Sequence, residues 1–146
     1  MGDEAPSVIP PVKGVPEHFI DIPSRLSAMD RMGIDMQVLS INPFWYRKDR
    51  DTAEAICRIN NEGLAELCAR EPNRFAGFAS LAMQFPDLAV QQLEEAVRKF
   101  GLKGAAIGGS VAGRDFCHPE FHPVLAKAEE LGVMLFIHPQ STPELQ

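Results

Sequence analysis

The sequence predicts an α/β fold in which parallel strands alternate with helices, and three observations carry that prediction. Short apolar runs begin near residues 36, 75, 104 and 133, a repeat of about 30 residues, which is that of βαβ units. Between them lie segments with helical periodicity and recognisable stops. The runs are apolar at successive positions, as expected of parallel strands buried on both faces.

Taken in order, residues 1–23 carry Pro6, Pro10, Pro11, Pro16 and Pro23. That density resists helix and strand alike and predicts an extended lead-in, with the folded domain over 24–146. SRLSAMDRM (24–32) reads as a short helix ended by Gly33. MQVLSI (36–41) reads as a strand closed by Asn42-Pro43. A helix follows from about Asp51 to Arg70, with Ala53, Ile56, Ile59, Leu64, Leu67 and Cys68 on its period. FAGFASL (75–81) is the second strand, and DLAVQQLEEAVRKF (87–100) a helix capped by Gly101. GAAIG (104–108) is the third strand. A helix from Pro123 to Leu131 has proline in its first turn and stops at Gly132, and VMLFI (133–137) is the fourth strand. Four such units suit either a small doubly wound sheet or about half of a (β/α)₈ barrel. GLKGAAIGG has glycines but neither GxGxxG opening a helix nor a Walker lysine, which weakens a dinucleotide-binding reading.

Composition narrows the function. With 146 residues, 45% hydrophobic and 23% charged, the chain is one globular domain in size. A net charge of −6 without a basic stripe argues against nucleic acid. No apolar run approaches the ~18 residues that span a bilayer, so no membrane partner is expected. The stretch MGDEAPSVIPPVKGVPEH lacks the apolar core of a secretory signal, and Pro6 stands where a myristoylation motif wants Ser or Thr. A cytoplasmic location is the expectation. Cys57, Cys68 and Cys117 show no CxxC spacing and read as reduced core residues.

In either architecture, chemistry gathers at the C-terminal ends of parallel strands. His138 ends the apolar run LFIHP, where an imidazole can bind a metal, shuttle a proton, or rest in the core on a backbone carbonyl. His118 and His122 are four apart, but Pro119 and Pro123 follow them and a solvated turn is expected. His18, in the lead-in, reads as ordinary surface. Phe44, Trp45 and Tyr46 end the first strand and hold the single Trp and single Tyr. They suit either the flat wall of a pocket for a conjugated substrate or packing over the strand ends. Met83 and Ser110, at two further strand ends, can line the same pocket.

MDRMGIDMQVLSINP, PNRFAGFASLAMQFPDLAV and FHPVLAKAEELGVMLFIHP, in this order, closely resemble the decarboxylase-like branch of the amidohydrolase superfamily. That branch includes the aminocarboxymuconate-semialdehyde and resorcylate decarboxylases, and the resemblance covers roughly residues 24–140. It implies strands two to five of a (β/α)₈ barrel. It also implies a divalent metal, zinc or manganese, held by an H-x-H or E-x-H pair on the first strand, a middle-strand histidine and a final aspartate. His138 matches the middle-strand ligand, while Phe44, Trp45 and Met83 become the expected substrate-binding residues. The family grips a substrate carboxylate with a lead-in arginine, where Lys13 is the nearest cation here, and Ala82 replaces a proline common in its loop.

The implied function is decarboxylation of an unsaturated or aromatic carboxylic acid. Metal-dependent hydrolysis of a lactone or amide is the alternative within the superfamily. No H-x-H or E-x-H precedes the first strand, and no further histidine or aspartate follows His138. These 146 residues alone are therefore expected to be inactive, a partial enzyme or a non-catalytic half-barrel that binds or assembles. An open α/β domain that binds a small molecule is the blandest reading. The unpaired edges of such a sheet predict a homo-oligomer.

Overall fold

The structure, a computed structural model, describes residues 21–138; His18, Lys13 and most of the expected lead-in lie outside them. The chain divides into two compact units, Met1–Asp35 and Met36–Gln146.

In the first unit, α1 (Ile22–Met32) starts two residues before the expected position. Asp21 caps it by accepting from the Ser24 N–H at 2.8 Å, and Pro23 sits in the first turn, where a missing N–H costs nothing. Gly33 closes it at φ 67°.

The second unit runs β1 (Gln37–Leu39), α2 (Arg50–Arg70), β2 (Phe75–Gly77), β3 (Ala79–Ser80), α3 (Pro86–Arg98), β4 (Gly104–Ile107), a short 3₁₀ turn (Pro119–Phe121), α4 (His122–Leu131) and β5 (Met134–Ile137). All strand pairs are parallel: β1 with β2, β3 with β4, and β4 with β5. The expected strand 75–81 is thus two pieces interrupted at Phe78. The N–H of Phe78 still donates to the Leu39 carbonyl at 2.9 Å, and the Lys103 N–H donates to the Gly77 carbonyl at 2.9 Å. The break passes the segment from one neighbour to the other. With β2 and β3 counted as one strand position, each position therefore pairs with the next along the chain, without the reversal of order that defines a doubly wound sheet.

Beyond Leu39 the β1 ladder ends, and a side chain replaces it. Asn61 of α2 accepts from the Ser80 N–H at 2.7 Å and donates to the Ser80 carbonyl at 3.0 Å. Both residues are buried, so the amide satisfies groups that water cannot reach. The main core lies where β3 and β4 meet the helices and includes Leu81, Leu93, Ile107, Val111, Phe121 and Val124. β4 is buried at all four positions, as its Gly-Ala-Ala-Ile sequence predicts. Gly104 is required there: at φ 144°, a Cβ would stand 2.0 Å from the Met134 carbonyl oxygen.

Four expectations are corrected. β5 is largely exposed, with Met134, Phe136 and Ile137 all open; among the described residues it pairs only with β4, and apolar sequence cannot bury a strand without a covering layer. Ile59 is 64% exposed, because Ala53, Cys57, Asn61 and Leu64 form the buried line of α2. Cys117 is exposed and Cys68 half-buried, so only Cys57 is a core cysteine. The solvated turn expected at His118 and His122 is corrected only in its regularity: both side chains are exposed and no helix contains both, but His118 caps the 3₁₀ turn and His122 opens α4.

Candidate active site at the strand ends

The loop after β1 is pinned to the ends of its neighbours. Trp45 is buried among Ala53, Cys57, Ala82 and Leu88, and its indole N–H donates to the Leu81 carbonyl at 2.8 Å. An indole buried with its N–H satisfied is the stable arrangement for this ring. The Gln84 side-chain amide donates to the Trp45 carbonyl at 2.9 Å from the following loop. Tyr46 meets Trp45 edge-on, with centroids 6.2 Å apart. Its hydroxyl accepts from the Gly108 N–H at 3.0 Å, across 62 residues of sequence. Burial pushes the Tyr46 phenol far above its ordinary value, with the Gly108 hydrogen bond opposing, so the phenol keeps its proton.

This pinning shapes a cavity of about 460 Å³ lined by Phe44, Tyr46, Arg47, Ser110, Ala112 and Gly113, with Pro43 at its edge. One wall comes from the loop after β1 and the other from the turn after β4. In that turn Val111 and Arg114 exchange backbone hydrogen bonds at 3.0 Å each. The two residues between them have positive φ, 51° at Ala112 and 77° at Gly113, the geometry of a tight two-residue hairpin turn. Ala112 pays a steric cost that glycine would not, and it does so on the cavity wall.

His138 sits at the end of β5. Its backbone N–H donates to the Ile107 carbonyl at 2.8 Å, continuing the β4–β5 ladder by one residue. The side-chain Nδ1 is shielded from solvent and has no hydrogen-bond partner among the described residues. A buried imidazole nitrogen without a partner fits a metal donor. It is one donor, however, and no group of three His, Cys, Asp or Glu able to hold a metal occurs among the described residues.

The residues singled out from sequence are thereby placed. Phe44 is half exposed on the cavity wall, whereas Trp45 and Met83 are buried in the core. Ser110 lines the cavity. Arg47 was not singled out from sequence, and its place on the wall follows from the anchoring of Trp45 and Tyr46. No helix of the described residues is long and apolar enough to cross a membrane.

Comparison with known proteins bears on this geometry. The amidohydrolase family profile matches residues 18–145. Gamma-resorcylate decarboxylase of Rhizobium radiobacter is 36% identical over 138 residues, covering 88% of this chain and 42% of its own. The 2-amino-3-carboxymuconate-6-semialdehyde decarboxylase of Dictyostelium discoideum is 33% identical over 117 residues, covering 79% of this chain and 33% of its own. Among solved structures, 5-carboxyvanillate decarboxylase from Novosphingobium aromaticivorans, complexed with manganese and 4-hydroxy-3-methoxy-5-nitrobenzoic acid, superposes with a TM-score of 0.78 at 29% identity. That match covers 84% of this chain and 36% of the other. The chain spans less than half the length of these relatives, and by the match over nearly all of its residues it belongs to the amidohydrolase family.

Proposed function

We propose that this chain is part of a metal-dependent decarboxylase acting on an aromatic or conjugated carboxylic acid, and that its four strand positions are strands two to five of a (β/α)₈ barrel. The observation that carries the reading is His138, an imidazole at a parallel strand end whose Nδ1 is shielded and unpartnered among the described residues. The sequential strand order and the decarboxylase relatives support it. His138 would supply one ligand to a divalent ion, manganese or zinc, with the remaining donors outside the described residues. Such an ion, when bound, supplies a positive charge that stabilises the negative charge developing on the substrate. The chain's own contribution is positional. The ladder bond to Ile107 holds the His138 backbone, and the aromatic loop, anchored by the buried Trp45, presents Phe44 on the cavity wall against which a flat acid would lie.

Metal content tests the reading. The full chain loaded with manganese and desalted is expected to retain the ion, and His138→Ala to lose most of it. A wild-type chain that retains none would overturn the ligand role. That result would favour the second reading, a half-barrel that binds or assembles without catalysis. The exposed apolar residues Val38, Met134, Phe136 and Ile137 support self-association. A concentration-independent monomer in size-exclusion chromatography would count against it.

A further inference from the structure

We propose that Tyr46 and Arg47 form a carboxylate-binding subsite, with Phe44 as its flat wall, so that the ionised acid group of a planar conjugated substrate docks on the loop after β1. The proposal rests on the decarboxylase reading for its substrate class, and on the geometry of the cavity for its residues.

The cavity's donors are what single out an anion. The Tyr46 hydroxyl already accepts from the Gly108 N–H, which fixes the oxygen in place. Its own proton is given to no group among the described residues, and Tyr46 lines the cavity. Because burial holds the phenol protonated, that donor persists across the ordinary pH range. Arg47 lies beside it on the same wall. It makes no ion pair among the described residues, while Asp49 is engaged by Thr52 and Asp87 by Arg50. No carboxylate lines the cavity among the described residues. A fixed O–H donor and a guanidinium that, among the described residues, has no ion pair and no lining acid beside it match the two oxygens of a carboxylate. Phe44 is 51% exposed, and an open ring on that wall favours a flat, conjugated partner.

The subsite is also tied to the strand end that carries His138. The carbonyl of Ile107 accepts from the His138 N–H and the N–H of Gly108 donates to the Tyr46 hydroxyl. These are the two ends of one peptide group, so the Tyr46 oxygen and the His138 backbone nitrogen are no more than about 8 Å apart. An acid held at Tyr46 and Arg47 therefore lies beside the end of β4, whose other side carries the His138 backbone.

The test is isothermal titration of the full chain with benzoate and with benzamide, its neutral counterpart, in chelator-treated buffer and again with manganese. Wild type is expected to bind benzoate about tenfold or more tightly than benzamide. Arg47→Gln should abolish that preference, and Tyr46→Phe should weaken benzoate about five- to tenfold. Arg47 is exposed, so its variant is expected to keep the wild-type circular dichroism even if loss of the Gly108 acceptor unsettles Tyr46→Phe. Equal affinity for the two probes, no saturable benzoate heat, or an Arg47→Gln chain that binds benzoate like wild type would each overturn the subsite. The two readings separate cleanly. An anion preference that needs Arg47 in a chain retaining no manganese leaves the subsite standing and removes the metalloenzyme. Manganese retained through His138, with benzoate indifferent to both substitutions, does the reverse.

Discussion

Replacing Asn61 by leucine should cost the fold about 2–6 kcal/mol, because two backbone groups of Ser80 depend on that one side chain. The amide accepts from the Ser80 N–H at 2.7 Å and donates to its carbonyl at 3.0 Å, with Asn61 4% and Ser80 2% exposed. Leucine has nearly the same shape but leaves both groups dry and unpaired, at about 1–3 kcal/mol each. Domains of this size are held by ~5–15 kcal/mol, so the loss is a large share of the total. Asn61→Asp separates the two bonds: it keeps the acceptor but sets a carboxylate against the Ser80 carbonyl, and its deficit should shrink as acid protonates it. Asn60→Ala is the control, since among the described residues the one hydrogen bond of the Asn60 side chain is to the Ser80 hydroxyl at 3.3 Å, and it should cost under about 1 kcal/mol. Urea unfolding at constant m reads the differences, and hydrogen exchange at the Ser80 amide reports the local opening. An Asn61→Leu chain within about 0.5 kcal/mol of wild type would refute the claim that the side chain substitutes for the missing ladder.

Other perturbations follow from the same structure. Gly104→Ala places a Cβ 2.0 Å from the Met134 carbonyl oxygen, a backbone atom that cannot rotate away. It should cost about 2–4 kcal/mol in thermal or urea unfolding, whereas Gly101→Ala, with open space around it, should cost only ~1–2 kcal/mol for its positive φ. Stability should also fall at both ends of the pH scale. Asp21 and Asp49, hydrogen-bonded by backbone N–H groups, and Asp87 and Glu130, hydrogen-bonded by Arg50 and Lys127, are all held below their ordinary values. Their contribution is present above about pH 4–5 and is lost as pH falls through the depressed values. Burial pushes the Cys57 thiol from 9.0 up to about 12, so the unfolded chain ionises first and stability declines as pH rises above 9. A melting-temperature profile that stays flat from pH 2.5 to 11 would contradict both signs.

The alternation of strand and helix was legible because each element carries a local signal: Asp21 with Pro23, the αL glycines at 33 and 132, and the apolar runs between them. The family was legible too, in collinear segments such as PNRFAGFASLAMQFPDLAV and in His138 at a strand end. What the chain could not announce was anything that depends on a neighbour distant in sequence. VMLFI reads as a buried strand, yet β5 is open because burial depends on a second layer and not on the strand's own apolarity. Ile59 satisfies a helical period and still faces water, since the direction of α2's buried line is set by what β3 demands of Asn61. Phe44, Trp45 and Tyr46 are three consecutive aromatics with three fates: one on the cavity wall, one locked to Leu81, one hydrogen-bonded to Gly108. Local propensity decides which backbone forms; only the packing of elements far apart in sequence decides which side chain is buried and which is left facing a ligand.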